Sequence, residues 1–331
     1  MSSTDAIEAL VGPALLARSA LLDELHADGT DCYRLLHGVA EGRPGLALDR
    51  YGDVLLAQTW RGPLGDGELE AMARAVEGYL GRRLTPVWNH RGDPGPFKAH
   101  HDPLLPADPE TSEQGLRYDA RPRHRGRDPL LYLDFRSGRR RVRAAAADKT
   151  VLNLFAYTCG VGLAAAAGGA KSVLNVDFAG SSLAVGTANA ERNGLTMDTL
   201  CEDVLPVLRQ LAGLPIKGRA SRRKYTKLTP RAFDLVVLDP PPFARSPFGA
   251  VDVVRDYPAL LKPALLATNP GGHLLVTNNV ARVDEAEWHD ILRRCATKAG
   301  RPLKDLEPLR PDADFPSPDD RPPLKMAWLT V

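Results

Sequence analysis

Residues Phe233-Asp234-Leu235-Val236-Val237-Leu238-Asp239-Pro240-Pro241-Pro242-Phe243 form an apolar run that ends in an acid, three prolines and an aromatic ring. The run predicts a buried strand. It must end at Asp239, because proline has no backbone N–H and keeps the residue before it extended. Ligands of open α/β sheets bind at the carboxyl ends of strands. A stiff loop with a carboxylate beside an aromatic ring suits a planar, nitrogen-bearing substrate such as a nucleobase, whereas a proline-rich turn without function would show the same residues.

Three other short apolar runs surround this one in the pattern of an α/β protein. They are Val151–Phe155, Ser172–Val176 and His273–Thr277, and stretches of helical length rich in alanine and leucine separate them. Strands that alternate with helices predict a doubly wound, mostly parallel sheet.

The first part of the chain has a different pattern. Val54–Thr59 and Pro86–Asn89 are predicted strands, and Glu68–Leu80 is a predicted amphipathic helix, which together indicate a small α+β domain. The predicted domains are a helical segment over residues 1–28, broken at Gly12-Pro13, the α+β domain over 29–118, and the main domain over 119–331. The α+β domain is expected to recognise the substrate or RNA and to contain a loop over Asp93–Glu113. The main domain is expected to contain a basic, helix-poor insertion over 212–231.

Composition limits the class of protein. The 331 residues are 44% apolar, which supports a sizeable core, and no apolar stretch approaches the ~20 residues that span a bilayer. No signal peptide is apparent, and the four cysteines are too widely separated for a zinc site or a disulfide framework. We therefore expect a cytoplasmic protein without a metal and without a membrane partner.

Positive charge is concentrated although the net charge is only +2. Clustered arginine and lysine indicates phosphate contact, while a solvated charged face is the alternative. The three clusters are Arg121, Arg123, His124, Arg125 and Arg127; Arg136, Arg139, Arg140, Arg141 and Arg143; and Lys217, Arg219, Arg222, Arg223, Lys224, Lys227 and Arg231.

The turn after the first strand of the main domain predicts a nucleotide-like cofactor. Ala156–Gly162 precedes an alanine-rich helix, and its small residues allow a ligand to approach the helix N-terminus. The spacing differs from the GxGxxG of dinucleotide-binding folds. An acid at Asp177, where the second strand ends, can bind both ribose hydroxyls, and Glu202-Asp203 can accept the adenine amino group. Each acid alone is commonly a cap or turn residue, but their order along the chain favours S-adenosylmethionine.

These motifs resemble the class I S-adenosylmethionine-dependent methyltransferases, and more narrowly the bacterial 23S rRNA methyltransferases that act on cytosine-C5 or guanine-N7. The resemblance is carried by Tyr132–Arg136 with Arg140, by Asn153–Thr158, by Asp239–Phe243, and in the small domain by Gly45–Gly52. It implies a Rossmann-like sheet, S-adenosylmethionine as cofactor and RNA as partner. The implied cofactor-binding residues are Asp134, Arg136, Asn153, Phe155, Ala156, Tyr157, Thr158, Gly160, Asp177 and Asp203.

Two departures from the cytosine-C5 type change the expected chemistry. A helical segment of about 25 residues stands where that type carries an N-terminal PUA domain, and Leu274–Val280 lacks the nucleophilic cysteine that follows the corresponding strand. Cytosine C5 becomes nucleophilic only after a thiolate adds to the ring. None of Cys32, Cys159, Cys201 and Cys295 is a convincing substitute. The pair Asn278-Asn279 resembles the guanine-N7 type, which predicts direct transfer to a nitrogen.

The residues expected to act on the acceptor are Asp239, Pro240, Pro241, Phe243, Asn278 and Asn279. Asp239 would accept a hydrogen bond from the amino group of the base, Phe243 would stack on its ring, and the asparagines would orient its edge. RNA phosphates are expected to contact Arg139, Arg140, Arg141, Arg222, Arg223 and Lys224. The alternatives are cytosine-C5 transfer on rRNA, a small-molecule or protein methyltransferase, and a non-catalytic RNA-binding factor. The sequence does not discriminate rRNA from tRNA, and it leaves a homodimer open.

Overall fold

The computed structural model describes residues 3–92, 105, 107–123, 128–216, 222–246 and 248–331. The chain divides into two compact units, Met1–Asp134 with Asp312–Asp320, and Phe135–Pro311 with Arg321–Val331. The division falls after Asp134 rather than after residue 118. One reason is a buried hydrogen bond of 2.9 Å from the Tyr51 hydroxyl to the carbonyl of Leu131, which attaches the later segment to the first unit.

The first unit is a four-stranded sheet covered on one face by helices. Strand order is β1-β2-β3-β4; β1–β2 and β2–β3 pair antiparallel, and β3–β4 pair parallel across the helical crossover α3. The apolar residues of α1 and α3 pack on the sheet, so the predicted helical segment at the N-terminus is part of this unit. Its elements are α1 (Ser3–Ala17), α2 (Ser19–Ala27), β1 (Cys32–Leu36), β2 (Leu46–Tyr51), β3 (Val54–Thr59), α3 (Glu68–Leu80), β4 (Thr85–His90), β5 (Glu110–Glu113) and β6 (Leu116–Asp119).

Helix α1 continues through the predicted break. Pro13 lies inside the helix, and the break comes at Arg18. Ile7, Val11 and Leu15 are buried, so a helix that continues past proline keeps an apolar stripe on the sheet. This burial offsets the backbone hydrogen bond that proline cannot donate.

A short segment that we call the strap, residues 312–320, belongs to the first unit although it lies between two strands of the second. Asp314 is fully buried and accepts a hydrogen bond of 2.9 Å from the backbone N–H of Arg34. The Arg34 guanidinium lies 4.4 Å from the centre of the Phe315 ring and forms two hydrogen bonds with Asp49. The strap thus contributes buried contacts to strand β1.

The second unit contains a seven-stranded sheet in the order β14-β15-β13-β10-β7-β8-β9. The five neighbouring strands β13, β10, β7, β8 and β9 are parallel to one another. Strand β15 pairs antiparallel with both β13 and β14. Buried apolar residues cover both faces, which confirms the predicted α/β class. The elements are α4 (Arg136–Ala145), β7 (Thr150–Leu154), α5 (Gly160–Ala167), β8 (Ser172–Asp177), α6 (Gly180–Arg192), β9 (Asp198–Cys201), α7 (Val204–Leu211), β10 (Phe233–Leu238), β11 (Phe243–Ser246), β12 (Gly249–Asp252), α8 (Tyr257–Leu266), β13 (Thr268–Asn278), α9 (Glu285–Lys298), β14 (Asp305–Leu309) and β15 (Lys325–Thr330).

Several predicted segments fall partly outside the described residues. These are 93–104 and 106 of the predicted loop, 124–127 of the first basic cluster and 217–221 of the basic insertion. Within the loop prediction, Glu110–Glu113 is strand β5 and pairs with β6, so the prediction is wrong there. In the part of the chain that the structure describes, no helix is long and apolar enough to cross a membrane.

Candidate functional site

The predicted acids of the second unit meet at one edge of its sheet. Asp177 ends β8 and is aligned with Cys201 at the end of β9, while Asp239 follows β10 and Asn278 ends β13. These strands are parallel, so their carboxyl ends lie at the same edge, where ligands of doubly wound sheets bind. Residues that are far apart in sequence are therefore brought to one edge of the sheet, where they form one candidate site.

The turn between β7 and α5 has an unusual backbone. Phe155, Tyr157 and Cys159 have φ angles of 57°, 49° and 60°, a left-handed conformation that costs residues other than glycine about 1–3 kcal/mol each. Hydrogen bonds hold the turn: Tyr157 N donates to Asp177 Oδ2 at 2.9 Å, and Cys159 N donates to the carbonyl of Ala156 at 2.7 Å. Strain maintained next to a helix N-terminus is typical of a ligand-binding turn.

Asp177 connects this turn to the next strand. Its second oxygen, Oδ1, accepts a hydrogen bond of 2.8 Å from Ala179 N, and the residue is only 7% exposed. Each carboxylate oxygen has a further lone pair, so the carboxylate can still accept hydrogen bonds from ligand hydroxyls. Its position is fixed before any ligand binds.

Phe178 is a site residue that the sequence reasoning missed. It follows Asp177 directly and is 73% exposed, the largest exposure among the large apolar side chains of the described residues. An exposed ring beside the predicted ribose acid can stack on a purine. The signal in the sequence was an aromatic residue next to the acid that ends β8.

Glu202 and Asp203, which follow β9, form hydrogen bonds with nearby backbone N–H groups. Asp203 caps α7, with Oδ1 accepting a 2.8 Å hydrogen bond from Leu205 N. Glu202 accepts hydrogen bonds from the backbone N–H groups of Thr226 and Asp203 at 2.8 and 3.1 Å. Burial acts to raise the pKa of Glu202, but these hydrogen bonds outweigh it and lower the pKa. Since Thr226 belongs to the basic insertion, Glu202 anchors that insertion beside the end of β9.

On the acceptor side, Asp239 is held by the neighbouring strand β13. The Thr277 hydroxyl donates a short hydrogen bond to Asp239 Oδ1, and the Tyr257 hydroxyl donates to the carbonyl of Thr277 at 2.8 Å. Tyr257 is fully buried, and burial raises its pKa well above the ordinary value, so it stays a neutral donor. Phe243 is 57% exposed at the start of β11, as stacking on a base requires.

Asn278 does not have the predicted role. It is 1% exposed, and its Oδ1 accepts a 3.0 Å hydrogen bond from Val280 N, so its side chain closes the turn after β13. Lys325, which is 2% exposed, donates to the carbonyl of Val280 at 3.0 Å and secures the same turn. Asn279 is exposed and remains a candidate for contact with the acceptor.

Three other predicted residues are buried or paired with protein groups. Asn153 is 2% exposed and donates to Asn175 Oδ1 at 2.8 Å, so its side chain braces β7 against β8. Arg139 is 3% exposed, which excludes the predicted phosphate contact. Arg141 pairs with Glu307 at 2.9 Å, and its guanidinium lies 4.5 Å from the Trp328 ring centre. Its charge is therefore paired with residues of strands β14 and β15, at one edge of the sheet.

The structure places the remaining predicted residues as follows. Arg136 is fully buried at the start of α4, so RNA phosphates cannot reach it, and Asp134 belongs to the first unit. Ala156, Thr158 and Gly160 line the strained turn. The other predicted positions lie on the surface or flank Asp239: Arg140 is half-buried, Arg222, Arg223 and Lys224 are exposed, Pro240 is buried and Pro241 is half-buried.

None of the four thiols is placed as a nucleophile beside Asp239. Burial, with a smaller contribution from Asp177, raises the pKa of the Cys159 thiol to about 12, and burial also raises the pKa of Cys295. Cys32 is buried in the first unit. Cys201 is exposed, but it ends β9, on the far side of β7 and β8 from β10. Among the described residues, no group of three or more histidine, cysteine or carboxylate side chains could hold a metal ion.

Comparison with known proteins gives matches over most of this chain. A sequence model of the S-adenosylmethionine-dependent methyltransferase family matches residues 34–329. Ribosomal RNA large subunit methyltransferase I of Vibrio cholerae is 30% identical over 309 residues, which cover 89% of this chain and 73% of the relative. The protein of the same name from Aliivibrio fischeri is 32% identical over 317 residues, with coverage of 90% and 73%. A solved structure from Streptococcus mutans, described as an S-adenosylmethionine-dependent methyltransferase, has a TM-score of 0.78 at 23% identity and covers 100% of this chain and 82% of its own, a likeness of fold.

Proposed function

This chain belongs to the S-adenosylmethionine-dependent methyltransferase family, and from that membership we propose that it methylates a base nitrogen in ribosomal RNA by direct transfer. The observation that carries the proposal is the acceptor side of the site. There Asp239 is held by Thr277, an exposed Phe243 follows it four residues later in the chain, and the turn after β13 contains asparagines in place of a thiol.

The residues present fit the cofactor. The Asp177 carboxylate suits the two ribose hydroxyls, Phe178 suits the purine face, and the turn Ala156–Gly160 opens onto the N-terminus of α5. When bound, S-adenosylmethionine supplies an activated methyl group on a positively charged sulfur. The protein must then hold the acceptor in line with that methyl, and proximity and orientation can contribute roughly 7–11 kcal/mol.

Asp239 and Phe243 are the residues that would hold the acceptor. The carboxylate accepts a hydrogen bond from an amino group of the base, and the exposed ring of Phe243 stacks on the base. If the acceptor is an exocyclic amino nitrogen, it loses one proton during the transfer, and Asp239 is placed to accept it. Asn279 is the exposed side chain after β13 that can contact the edge of the base.

Transfer to nitrogen is favoured over transfer to C5 of a pyrimidine because no suitable thiol is present at the acceptor side. A nitrogen lone pair is already nucleophilic, whereas the C5 atom needs covalent activation by a thiolate. Cys159 remains protonated at neutral pH because of its raised pKa, and Cys201 lies at the opposite side of the site.

RNA as the substrate is supported by two independent features. The relatives at 30% and 32% identity are named for ribosomal RNA. In this chain, the exposed residues Arg222, Arg223 and Lys224 directly precede the segment that Glu202 anchors at the sheet edge. A positive segment beside the site is suited to the phosphates that flank a base splayed out of its stack. Modification of rRNA would place the enzyme in the cytoplasm.

The test is an assay of the purified protein with labelled S-adenosylmethionine and rRNA transcribed without modifications, followed by identification of the methylated nucleoside. A nucleoside methylated at nitrogen is expected, while 5-methylcytosine would refute the direct mechanism. Asp239→Ala and Asp239→Asn should both abolish transfer and leave the affinity for S-adenosylmethionine nearly unchanged. Loss of cofactor binding in both variants would assign Asp239 to the cofactor side.

A further inference from the structure

An exposed tryptophan lies outside the candidate site. Trp60 follows strand β3 in the first unit and is 41% exposed, whereas Trp288 and Trp328 are 1% and 2% exposed. Exposure of a tryptophan of this size leaves a large apolar face in water, which the hydrophobic effect disfavours. An interaction partner that covers the ring would remove that cost.

The backbone that carries Trp60 is tightly fixed. Trp60 N donates to the carbonyl of Gly45 at 2.9 Å, and Arg91 N donates to the carbonyl of Thr59 at 2.7 Å. Gly92 packs so closely that a Cβ atom there would lie 2.3 Å from the Trp60 carbonyl oxygen. The ring therefore projects from a rigid position at the carboxyl ends of the parallel strands β3 and β4.

Two arginines are associated with Trp60: Arg91 contacts its ring, and Arg61 follows it in sequence. The Arg91 guanidinium lies 5.7 Å from the Trp60 ring centre and is itself held by Gln58 at 3.0 Å and by Asp128. The aliphatic part of Arg61 lies over Gly45, where a Cβ would be 2.8 Å from Arg61 Cγ, and Arg61 is exposed. A left-handed glycine, with φ of 94°, thus leaves space for the arginine that follows the tryptophan.

We propose that Trp60, with Arg61 and Arg91, forms a stacking platform for an unpaired nucleotide of the RNA substrate. An indole face stacks on any base, and stacking on an aromatic side chain is sequence-tolerant. Arg91 acts as a positioning residue that fixes the ring, and Arg61 contacts a neighbouring phosphate. The inference rests on the proposed RNA substrate, and it assigns to the small unit the capture of single-stranded RNA, separate from the methyl transfer itself.

The experiment measures binding of the full-length protein to a fluorescently labelled single-stranded oligoribonucleotide of mixed sequence, alone and annealed to its complement. Trp60→Ala is expected to weaken binding of the single strand by about 5- to 150-fold, the range for loss of one stacked base. Trp60→Phe retains a ring and should stay within about threefold of the wild type. Leu16→Ala is the matched control, because Leu16 is an apolar side chain of the same unit that is 68% exposed.

Intrinsic fluorescence gives a second readout that a folding defect would not mimic. Two of the four tryptophans are buried and Trp88 is half-buried, so RNA should quench mainly Trp60, and Trp60→Phe should lose most of that quenching while it still binds. Arg61→Gln should reduce the dependence of log affinity on log salt by about 0.7.

The outcomes separate the two proposals. If the wild type methylates RNA and Trp60→Ala binds the single strand as tightly as the wild type does, the platform is refuted and the proposed function stands. If the wild type neither binds nor methylates RNA, both are refuted. If Trp60→Ala weakens the single strand and the duplex equally, the ring contacts backbone and the stacking role is refuted.

Discussion

The Thr277 hydroxyl donates a hydrogen bond to Asp239 Oδ1, and this contact links β13 to the residue that follows β10 at the acceptor side of the site. Thr277 is itself held by Tyr257 through its backbone carbonyl. Because the hydroxyl occupies one lone pair of Oδ1, it also determines how the carboxylate is presented to an amino group of the acceptor. A residue on one strand therefore orients the predicted acceptor-binding group of the next.

Replacing Thr277 by valine keeps the side-chain shape and removes the donor. A hydrogen bond to a charged group contributes about 1.5–3 kcal/mol, so we expect kcat to fall about 10- to 150-fold if the bond is equally important in the transition state. The affinity for S-adenosylmethionine, measured by calorimetry, should change less than about threefold. Thr277→Ser keeps the hydroxyl and should retain most of the rate. Equal losses in both variants would contradict an orienting role for the hydroxyl.

Replacing Asp177 by asparagine should weaken cofactor binding and also destabilise the turn. The two carboxylate oxygens of Asp177 accept from the backbone N–H groups of Tyr157 and Ala179. Asparagine has only one acceptor oxygen, so its NH2 group would face one of these N–H groups, donor against donor. We expect the Kd for S-adenosylmethionine to rise about 10- to 100-fold and the free energy of unfolding to fall by about 1–3 kcal/mol. Asp198→Asn, on the exposed part of the adjacent strand, is the control. Unchanged cofactor affinity in Asp177→Asn would remove Asp177 from the cofactor site.

Cys201 allows a test of the proposal that methyl transfer proceeds without a cysteine nucleophile. It is exposed, whereas the other three thiols are buried, so an alkylating reagent at mildly alkaline pH should modify Cys201 first, as peptide mapping would show. Cys201→Ala should keep kcat within about threefold of the wild type, because direct transfer needs no covalent catalyst. Complete loss of activity, with cofactor binding intact, would indicate a covalent mechanism.

The exposed residues Arg222, Arg223 and Lys224 should contribute to RNA affinity through phosphate contact. Changing all three to alanine is expected to weaken binding of unmodified rRNA fragments and to lower the slope of log affinity against log salt by up to about 2. The matched control changes Arg293, Arg294 and Lys298, three exposed cations of α9. If both triple variants lose affinity equally, the contribution is general charge and not a local contact.

His37 should make the stability of the first unit depend on pH. Burial, together with the neighbouring charge of Arg34, lowers the pKa of His37 to about 4, and the neutral ring accepts a 3.1 Å hydrogen bond from Arg34. The folded pKa lies below the unfolded value of about 6.5, so the unfolded state binds the proton first and stability falls as pH decreases from 6.5 toward 4. Allowing for solvent screening of this half-buried group, we expect a loss of about 1 kcal/mol between pH 7 and pH 5.

The check on His37 is denaturant unfolding of the wild type and of His37→Gln at both pH values. The variant should lose less stability on acidification than the wild type by about that amount. Parallel losses in the two proteins would show that other groups cause the acid sensitivity.

The local pattern of apolar residues predicts those strands and helices that are defined by a short, continuous stretch of sequence. Val54–Thr59, Glu68–Leu80 and Phe233–Leu238 match β3, α3 and β10 at both ends, because each is a strongly periodic or continuous apolar run bounded by residues that end it. Strand β15 and the strap went unpredicted. Both depend on contacts with segments far away in sequence, which no local window contains.

The site was predictable at the strand ends and much less so at individual side chains. Asp177 and Asp239 follow buried parallel strands, so topology alone brings them to one edge. A family resemblance predicts an acceptor contact for Asn278, and clustered charge predicts a phosphate contact for Arg139, yet packing buries both side chains. Phe178 is the opposite case, because an aromatic residue directly after a buried strand is commonly part of the core, whereas this ring is 73% exposed.

The strap has a consequence for how the protein is made. The backbone N–H of Arg34 finds its acceptor, Asp314, 280 residues later in the chain. Domains emerging from the ribosome commonly fold in order from the N-terminus. Here, however, Asp314, the acceptor for a backbone N–H of strand β1, leaves the exit tunnel only near the end of synthesis. The first unit to be translated is therefore among the last to be completed, and a nascent chain stalled before residue 314 would carry an unfinished first unit.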